Sequence, residues 1–267
     1  MKDIITNTQR IFYEDPKRWG KGYHQINLDR AVLTARAVPG NAKKILEVGS
    51  GDGLIINTLK EAGYDPVAFD ISRNALKHIQ DSKLVQGTAS QLPFSSNSFD
   101  LVLACEVLEH IPNHIYKSVL EEIIRVTKKY ILITVPYREK LEWNYARCPA
   151  CGCIFNGSYH VRSFNKNDLK FLFNNFECIR LKNIVNILHP DRTTSLELFI
   201  RHRLAREYQY CGSSVKCPLC LSSVKEKPQR NWIGWIASAI RYLYRIPVRR
   251  KVPLWYLAVY KKTREAI

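Results

Sequence analysis

The sequence predicts an α/β protein built on a doubly wound parallel sheet, with a small cysteine-rich insertion. Three observations predict it. Short apolar and β-branched runs alternate with amphipathic stretches between Lys44 and Val135, which is the pattern of strands joined by crossover helices on both faces of one sheet. The first run ends in Glu47-Val48-Gly49-Ser50-Gly51-Asp52-Gly53, a Gly-rich turn between a strand and a helix. From about residue 142 the alternation breaks, and two C-x-x-C pairs, Cys148/Cys151 and Cys217/Cys220, appear.

The elements follow in order. Residues 1–40 read as helical, with Trp19, Tyr23, Leu28 and Val32 on apolar faces, closed by the turn Pro39-Gly40-Asn41. Lys44 to Val48 is a buried strand, and Leu54 to Ala62 a helix capped by Gly63. Val67 to Asp70 and Leu84 to Gln86 are strands flanking a helix over Arg73 to Gln80. The turn Ser95 to Ser98 leads into the strand Phe99 to Cys105, then the amphipathic helix Ile115 to Thr127. Tyr130 to Val135 is apolar and β-branched, as a central parallel strand should be. Asn167 to Asn174 reads as a helix, Phe176 to Val185 as a strand, Trp232 to Leu243 as an amphipathic helix and Leu254 to Tyr260 as the last strand.

The charge is uneven. Of 41 Lys+Arg and 24 Asp+Glu, residues 141–267 hold 22 and 8, a net of +14, which leaves +3 for residues 1–140. A basic back half fits an anionic partner such as nucleic acid, a phospholipid surface or a phosphorylated substrate, or simply a solubilising surface. No apolar core of signal-peptide length follows Met1, and the run Trp232 to Ile240 is too short to span a bilayer, so a cytoplasmic location is expected.

At the Gly-rich turn, an acid two residues before Gly49 suits an ammonium group rather than a pyrophosphate. Asp70 ends the next strand, where a carboxylate accepts both hydroxyls of a ribose. The bland reading is a turn that binds no nucleotide, with Asp70 as a cap.

Residues 45–110 resemble the class I S-adenosylmethionine-dependent methyltransferases, and in particular the broad family that includes the quinone-biosynthesis methyltransferases. Four stretches carry the resemblance: Glu47-Val48-Gly49-Ser50-Gly51, Asp70, Thr88-Ala89-Ser90-Gln91-Leu92-Pro93-Phe94, and Phe99-Asp100-Leu101-Val102 with Leu108-Glu109-His110. It implies a seven-stranded Rossmann-like methyltransferase sheet of order 3-2-1-4-5-7-6, its last strand antiparallel. It also implies roles. Glu47 and the loop Gly49, Ser50, Gly51 and Gly53 would hold the methionine part of the cofactor. Asp70 would bind the ribose, Ile71 would lie against the adenine, Thr88 and Ala89 would line its edge, and Glu106 would stand near the sulfonium. Many members place Asp where this chain has Thr88; a Thr hydroxyl also accepts. Methyl transfer needs alignment above all, and a hydroxyl acceptor needs a base as well. His110 is the first candidate, beside its reading as a capping or packing histidine; His24, Tyr23 and Tyr137 are weaker candidates for the acceptor pocket.

The two C-P-x-C pairs supply four thiolates, which suit tetrahedral zinc, with Cys153 and His160 as substitute ligands. The alternatives are four reduced thiols or a redox pair. In the fold that the resemblance implies, both pairs emerge at one sheet edge. With four thiolates the site is structural, fixing a wall that includes His160-Val161-Arg162-Ser163-Phe164. That element, with C-P-x-C-G, is similar to methyltransferases encoded among glycan-biosynthesis genes. The helix from Trp232, followed by Arg241, Arg245, Arg249, Arg250 and Lys251, suits either an anionic membrane surface or internal packing.

The expected organisation is a cofactor-binding core over 1–141, a first knuckle over 142–164, sheet completion over 165–189, a second knuckle and basic helix over 190–252, and a last strand and tail over 253–267. The expected function is methyl transfer to a hydroxyl of a lipid-linked or cell-surface glycan intermediate or a related small molecule, in the cytoplasm, with peripheral contact at the inner membrane surface as one reading of the basic helix. An RNA methyltransferase and a non-catalytic cofactor-binding scaffold with a zinc interaction module are the alternatives. The sequence leaves the oligomeric state open.

Overall fold

The computed structural model describes residues 11–189, 195–209, 215–224, 231–243 and 250–263. The chain forms two compact units. The larger comprises Arg10–Arg138, Ser163–Val185 and Pro253–Ile267; the smaller comprises Met1–Gln9, Glu139–Arg162 and Asn186–Val252.

The larger unit is built on a seven-stranded sheet. Its strands are β1 (Ile45–Val48), β2 (Pro66–Asp70), β3 (Lys83–Gln86), β4 (Phe99–Cys105) and β5 (Thr127–Pro136), joined later in the chain by β8 (Phe176–His189) and β9 (Arg250–Lys262). The order is β3-β2-β1-β4-β5-β9-β8. Counting only the sheet's own strands, this is the expected 3-2-1-4-5-7-6. Strands β1 to β5 pair in parallel and β9 runs antiparallel to β5.

The helices are α1 (Gln25–Ala35), α2 (Leu54–Glu61), α3 (Arg73–Leu76), α4 (Asn113–Val126) and α5 (Lys166–Lys170). Strand side chains alternate between two cores. Leu46, Val48, Val102, Ile131 and Ile133 point to one, with Val119 and Ile123 of α4. Ile45, Leu101, Leu103 and Leu132 point to the other, with Ala31 of α1 and Ile55 and Leu59 of α2. Leu46, Val102 and Ile131 are fully buried, so truncating Leu46 or Ile131 to alanine costs about 2–5 kcal/mol.

The register positions the site. Glu47 faces Ala68 on one side and Leu103 on the other. The carboxyl ends of β1, β2 and β4 therefore finish together, where open α/β sheets bind ligands.

Three local expectations need correction. Residues 1–40 are not one helical run: among those described, Pro16 opens a single 3-10 turn and α1 starts only at Gln25. Proline at a first helical position starts a helix and breaks any that precedes it. Helix α3 stops at Leu76 rather than Gln80, ahead of the left-handed Asp81. Helix α5 stops at Lys170 rather than Asn174; its start is fixed by a capping box between Asn165 and Asp168.

The smaller unit holds a two-stranded hairpin, β6 (Tyr145–Arg147) and β7 (Ile154–Asn156). It also holds α6 (Ser195–Phe199), which runs into a π-helical turn over Ile200–Leu204, and α7 (Trp232–Leu243). Arg201 ties these helices together. It pairs with Glu197 at 2.9 Å and Glu207 at 2.8 Å, and donates to Ser238 Oγ at 3.1 Å.

Candidate functional site

Glu47 lies in the interior of the larger unit at 1% exposure. Its Oε2 atom has no hydrogen-bond partner. Burial pushes its carboxyl well above the usual carboxylate range, the neighbouring Arg30 cation pulls it down, and Asp70 pushes it up again. Arg30 itself is buried on α1, donating to Thr134 Oγ1 at 3.3 Å with its guanidinium 5.3 Å from the centre of the Trp255 ring.

Beyond Glu47 the chain turns sharply. The Gly49 and Ser50 N–H groups both donate to the Phe69 carbonyl, at 2.7 and 3.1 Å. Gly49 has φ +76°, and a Cβ there would collide with the Val107 side chain. Gly53 has φ +96° and forms the N-cap of α2, its carbonyl accepting from Asn57 at 2.8 Å. The sequence puts glycine where the backbone must take a left-handed conformation and where a second chain segment approaches it.

Asp70 is buried at the end of β2. Its Oδ2 accepts the Gly51 N–H and its Oδ1 the Ser72 N–H, both at 2.8 Å. Burial raises its carboxyl above the ordinary value against the pull of these N–H groups. Each carboxylate oxygen has a further lone pair for a ligand hydroxyl. Ile71 follows, half-buried; Thr88 is exposed, its hydroxyl 3.0 Å from that of Ser90, and Ala89 is half-buried. Glu106, just past β4, has φ +58°, and its carboxylate accepts the indole N–H of Trp255. His110 ends the 3-10 turn Leu108–His110, with its ring edge-on to Tyr13 at 5.9 Å.

The structure thus brings Glu47, the glycine loop and Asp70 together at the ends of β1 and β2, and sets Glu106 and His110 just after β4. Of the weaker acceptor candidates, His24 is exposed just before α1 and Tyr137 packs on Tyr256 at 4.8 Å between ring centres. Tyr23 instead donates to Asp52 Oδ1 at 2.6 Å.

Sequence reasoning missed a strap over residues 11–24. Gly20 N–H donates to Asp52 Oδ2 at 3.1 Å, and the Trp19 ring lies against Gly51. Glu14 accepts the Arg73 and Asn74 N–H groups at 3.0 and 3.2 Å, at the start of α3. The strap is therefore tied to both the glycine loop and the segment after Asp70. Its signal was available: Pro16 and the two glycines at 20 and 22 argue against a continuous helix.

In the smaller unit, Cys148, Cys151, Cys217 and Cys220 have Sγ atoms all within 4.8 Å of one another. The pairs Cys148–Cys220 and Cys151–Cys217 stand 3.5 Å apart. A disulfide would need about 2 Å. Four thiolates on a zinc ion at about 2.3 Å would be about 3.8 Å apart.

The two turns have the same construction. Gly152 N–H reaches the Cys148 carbonyl at 2.9 Å and Leu221 N–H the Cys217 carbonyl at 3.0 Å. Cys148 N–H donates to the Cys153 carbonyl at 2.8 Å and Cys217 N–H to the Ser222 carbonyl at 2.9 Å. Gly152 and Leu221 are both left-handed. The Tyr159 hydroxyl, donating to the Lys216 carbonyl at 2.6 Å and accepting its N–H at 2.9 Å, links one turn to the other. Of the substitute ligands, His160 Nδ1 pairs with Glu139, and Cys153 Sγ lies against the Ile154 carbonyl at 3.8 Å.

Comparison with known proteins bears on the larger unit. Residues 46–132 match the family model described as "Methyltransferase domain". A stretch of 96 residues is 38% identical to the demethylmenaquinone methyltransferase of Renibacterium salmoninarum, covering 34% of this chain and 39% of that protein. A stretch of 108 residues is 30% identical to the ubiquinone biosynthesis O-methyltransferase of Ralstonia nicotianae, covering 37% and 45%. The chain thus spans less than half the length of these two relatives. The fold matches a solved SAM-dependent methyltransferase of Archaeoglobus fulgidus with a TM-score of 0.54 at 15% identity, over 91% of this chain and 96% of that one.

Proposed function

We propose that the chain is an S-adenosylmethionine-dependent methyltransferase. One observation carries the proposal: inside the stretch that matches a methyltransferase domain, a buried carboxylate oxygen of Glu47 without a partner stands beside a glycine turn and the Asp70 carboxylate. The nucleoside fits this arrangement. Its ammonium would satisfy Glu47 and return the desolvated carboxylate to its charged form. Its ribose hydroxyls would donate to the second lone pairs of Asp70. The left-handed Gly49 leaves no Cβ between the backbone and the ligand. Ile71, Thr88 and Ala89 would border the adenine.

The bound nucleoside supplies a methyl group already activated on sulfonium. The chain's own residues then position and deprotonate. Glu106, held by the Trp255 indole, would border the methyl end, and His110 would take the proton of a hydroxyl acceptor. The acceptor we favour is a hydroxyl on a lipid-linked or cell-surface glycan intermediate, in line with the basic back half and the C-P-x-C-G and H-x-R-S-F elements.

The four-cysteine cluster we read as a structural zinc site. Sulfur separations near a tetrahedron edge, on two turns of identical hydrogen bonding, support it. With four thiolates as ligands, such an ion leaves no position for water or substrate, so no chemical step is assigned to it.

Two measurements test the function. Calorimetry should show heat with S-adenosylhomocysteine, and none at millimolar concentration would overturn the cofactor assignment. Labelled methyl donor incubated with fractionated extract should label the lipid-glycan fraction; label in RNA or small metabolites would replace the acceptor.

A further inference from the structure

The helix α7 leaves an apolar stripe exposed in addition to the face it packs inward. Its capped start is well formed: Asn231 Oδ1 accepts the Gly234 N–H at 3.0 Å, and Asn231 Nδ2 donates to the Ala205 carbonyl at 3.0 Å. The inner face carries Gly234 and Ala237, buried, with Ile233, Ser238 and Ile240 half-buried, and Ser238 bonds Arg201. A second set of large apolar residues faces outward. Trp232 is 71% exposed, Trp235 62%, Tyr242 74% and Ile236 46%. With Ala239, also exposed, they recur at i, i+3, i+4, i+7 and i+10, one continuous stripe along the helix. Burying an apolar stripe is the usual reason for having one, and here much of its area stays exposed. Leu196, Phe199 and Leu204 of the preceding helical segment are exposed as well.

The charge of the sequence around α7 selects the occupant. Residues 230–252 contain six Lys or Arg and no Asp or Glu. A second copy would bring the same charges against these, and like charges in a symmetric contact repel. By the typical areas of such side chains, the stripe offers roughly 500 Å² on one copy, short of the about 800 Å² per partner of a standard interface. An anionic lipid surface has neither difficulty. It takes tryptophan rings at headgroup depth, buries the aliphatic part of the stripe and attracts a segment of this net positive charge. The 12 residues of α7 span about 18 Å, and among the described residues no helix is long and apolar enough to cross a membrane. The fit is to a helix lying in the interface plane.

We infer that the outward face of α7, Trp232, Trp235, Ile236, Ala239 and Tyr242, seats the protein on an anionic phospholipid surface. This goes beyond the methyltransferase reading and does not depend on it. A lipid-linked acceptor, if that reading holds, would be met where it resides.

The test is flotation of the full chain with phosphatidylcholine vesicles, with and without about one third phosphatidylglycerol. The wild type should float only with the anionic vesicles, and less as salt rises. The variant Trp232→Ala/Trp235→Ala should lose binding about tenfold or more. Both side chains are largely exposed, so the variant should fold and bind S-adenosylhomocysteine as the wild type does. That calorimetric reading separates failure of the surface from failure of the methyltransferase proposal. Three results would overturn the inference: equal flotation of variant and wild type, a dimer in light scattering that the variant abolishes, or single-stranded RNA displacing the vesicles.

Discussion

The larger and smaller units hold their shape by different means. The glycine-loop end of the larger unit rests on a sheet with a core on each face, and its carboxylates are set by strand register. In the smaller unit the first cysteine turn is carried by two three-residue strands and the second by a single bridge between Lys216 and Ser223, and among the described residues their buried apolar companions are few, Ala146, Phe155, Val215 and Val224 among them. A core that small supplies little stability, and metal ligation commonly replaces it. The contrast teaches that one end of this chain tolerates a left-handed turn and a buried carboxyl because two cores hold its scaffold, whereas the other, on the proposed zinc reading, depends on its ion.

The largest expected effect tests that contrast directly. Metal analysis should find about one zinc per chain, and structural zinc contributes on the order of 10 kcal/mol to folding. Chelation or Cys217→Ser should abolish the near-UV signal of the smaller unit while S-adenosylhomocysteine still binds the larger one. An unchanged spectrum after chelation would erase the distinction between the units.

Next comes Gly49→Ala. A non-glycine residue at φ +76° beside Val107 should lower stability by about 2–3 kcal/mol in urea unfolding and abolish nucleoside binding. Wild-type affinity in this variant would show that the turn is not what the ligand touches.

Glu47→Gln should move two observables in opposite directions. The folded protein raises the Glu47 carboxyl above its unfolded value. Its contribution is therefore greatest at low pH and is lost as pH rises through the raised value. At neutral pH, the amide removes the cost of burying an acid that is ionised in the unfolded chain, so ligand-free stability should rise by about 1 kcal/mol. Affinity for the ammonium-bearing nucleoside should fall about tenfold or more, and wild-type affinity should increase as pH rises through the Glu47 titration. A variant that loses both stability and affinity would mean that the carboxylate is structural.

The smallest effect is expected at Asp100, which accepts the Lys43 and Lys44 N–H groups at 3.0 and 3.2 Å and pairs with Lys129 at 3.0 Å. Against the cost of burial, these partners hold its carboxyl down to about 2, so its stabilisation is present above the ordinary carboxylate value and fades as pH falls towards about 2. Asp100→Asn should cost about 1 kcal/mol near neutrality, read as a small drop in Tm that vanishes in acid.

The legible parts of this protein are those with a local cause. Strand runs such as Phe99 to Cys105 announce themselves by continuous apolarity, and the Gly49 turn by residues that tolerate left-handed backbone. The break at the strap was legible in Pro16, but where the strap docks was hidden, because its partners, Asp52 and the start of α3, lie far along the chain from Glu14, Trp19 and Tyr23. Arg30 was hidden for the same reason, since nothing near it in sequence says that it will be buried beside Glu47.

By itself the sequence determined the order of strands and helices, the glycine turn and the supply of four thiolates, because each is written in periodicity, backbone tolerance or ligand chemistry over a few residues. Only the tertiary structure decided that Glu47 keeps an oxygen without a partner, that thiols 66 and 72 residues apart meet, and that α7 turns its tryptophans outward. Burial and proximity between distant segments depend on how the elements pack, and an amphipathic stripe read along one helix does not say which side finds a neighbour.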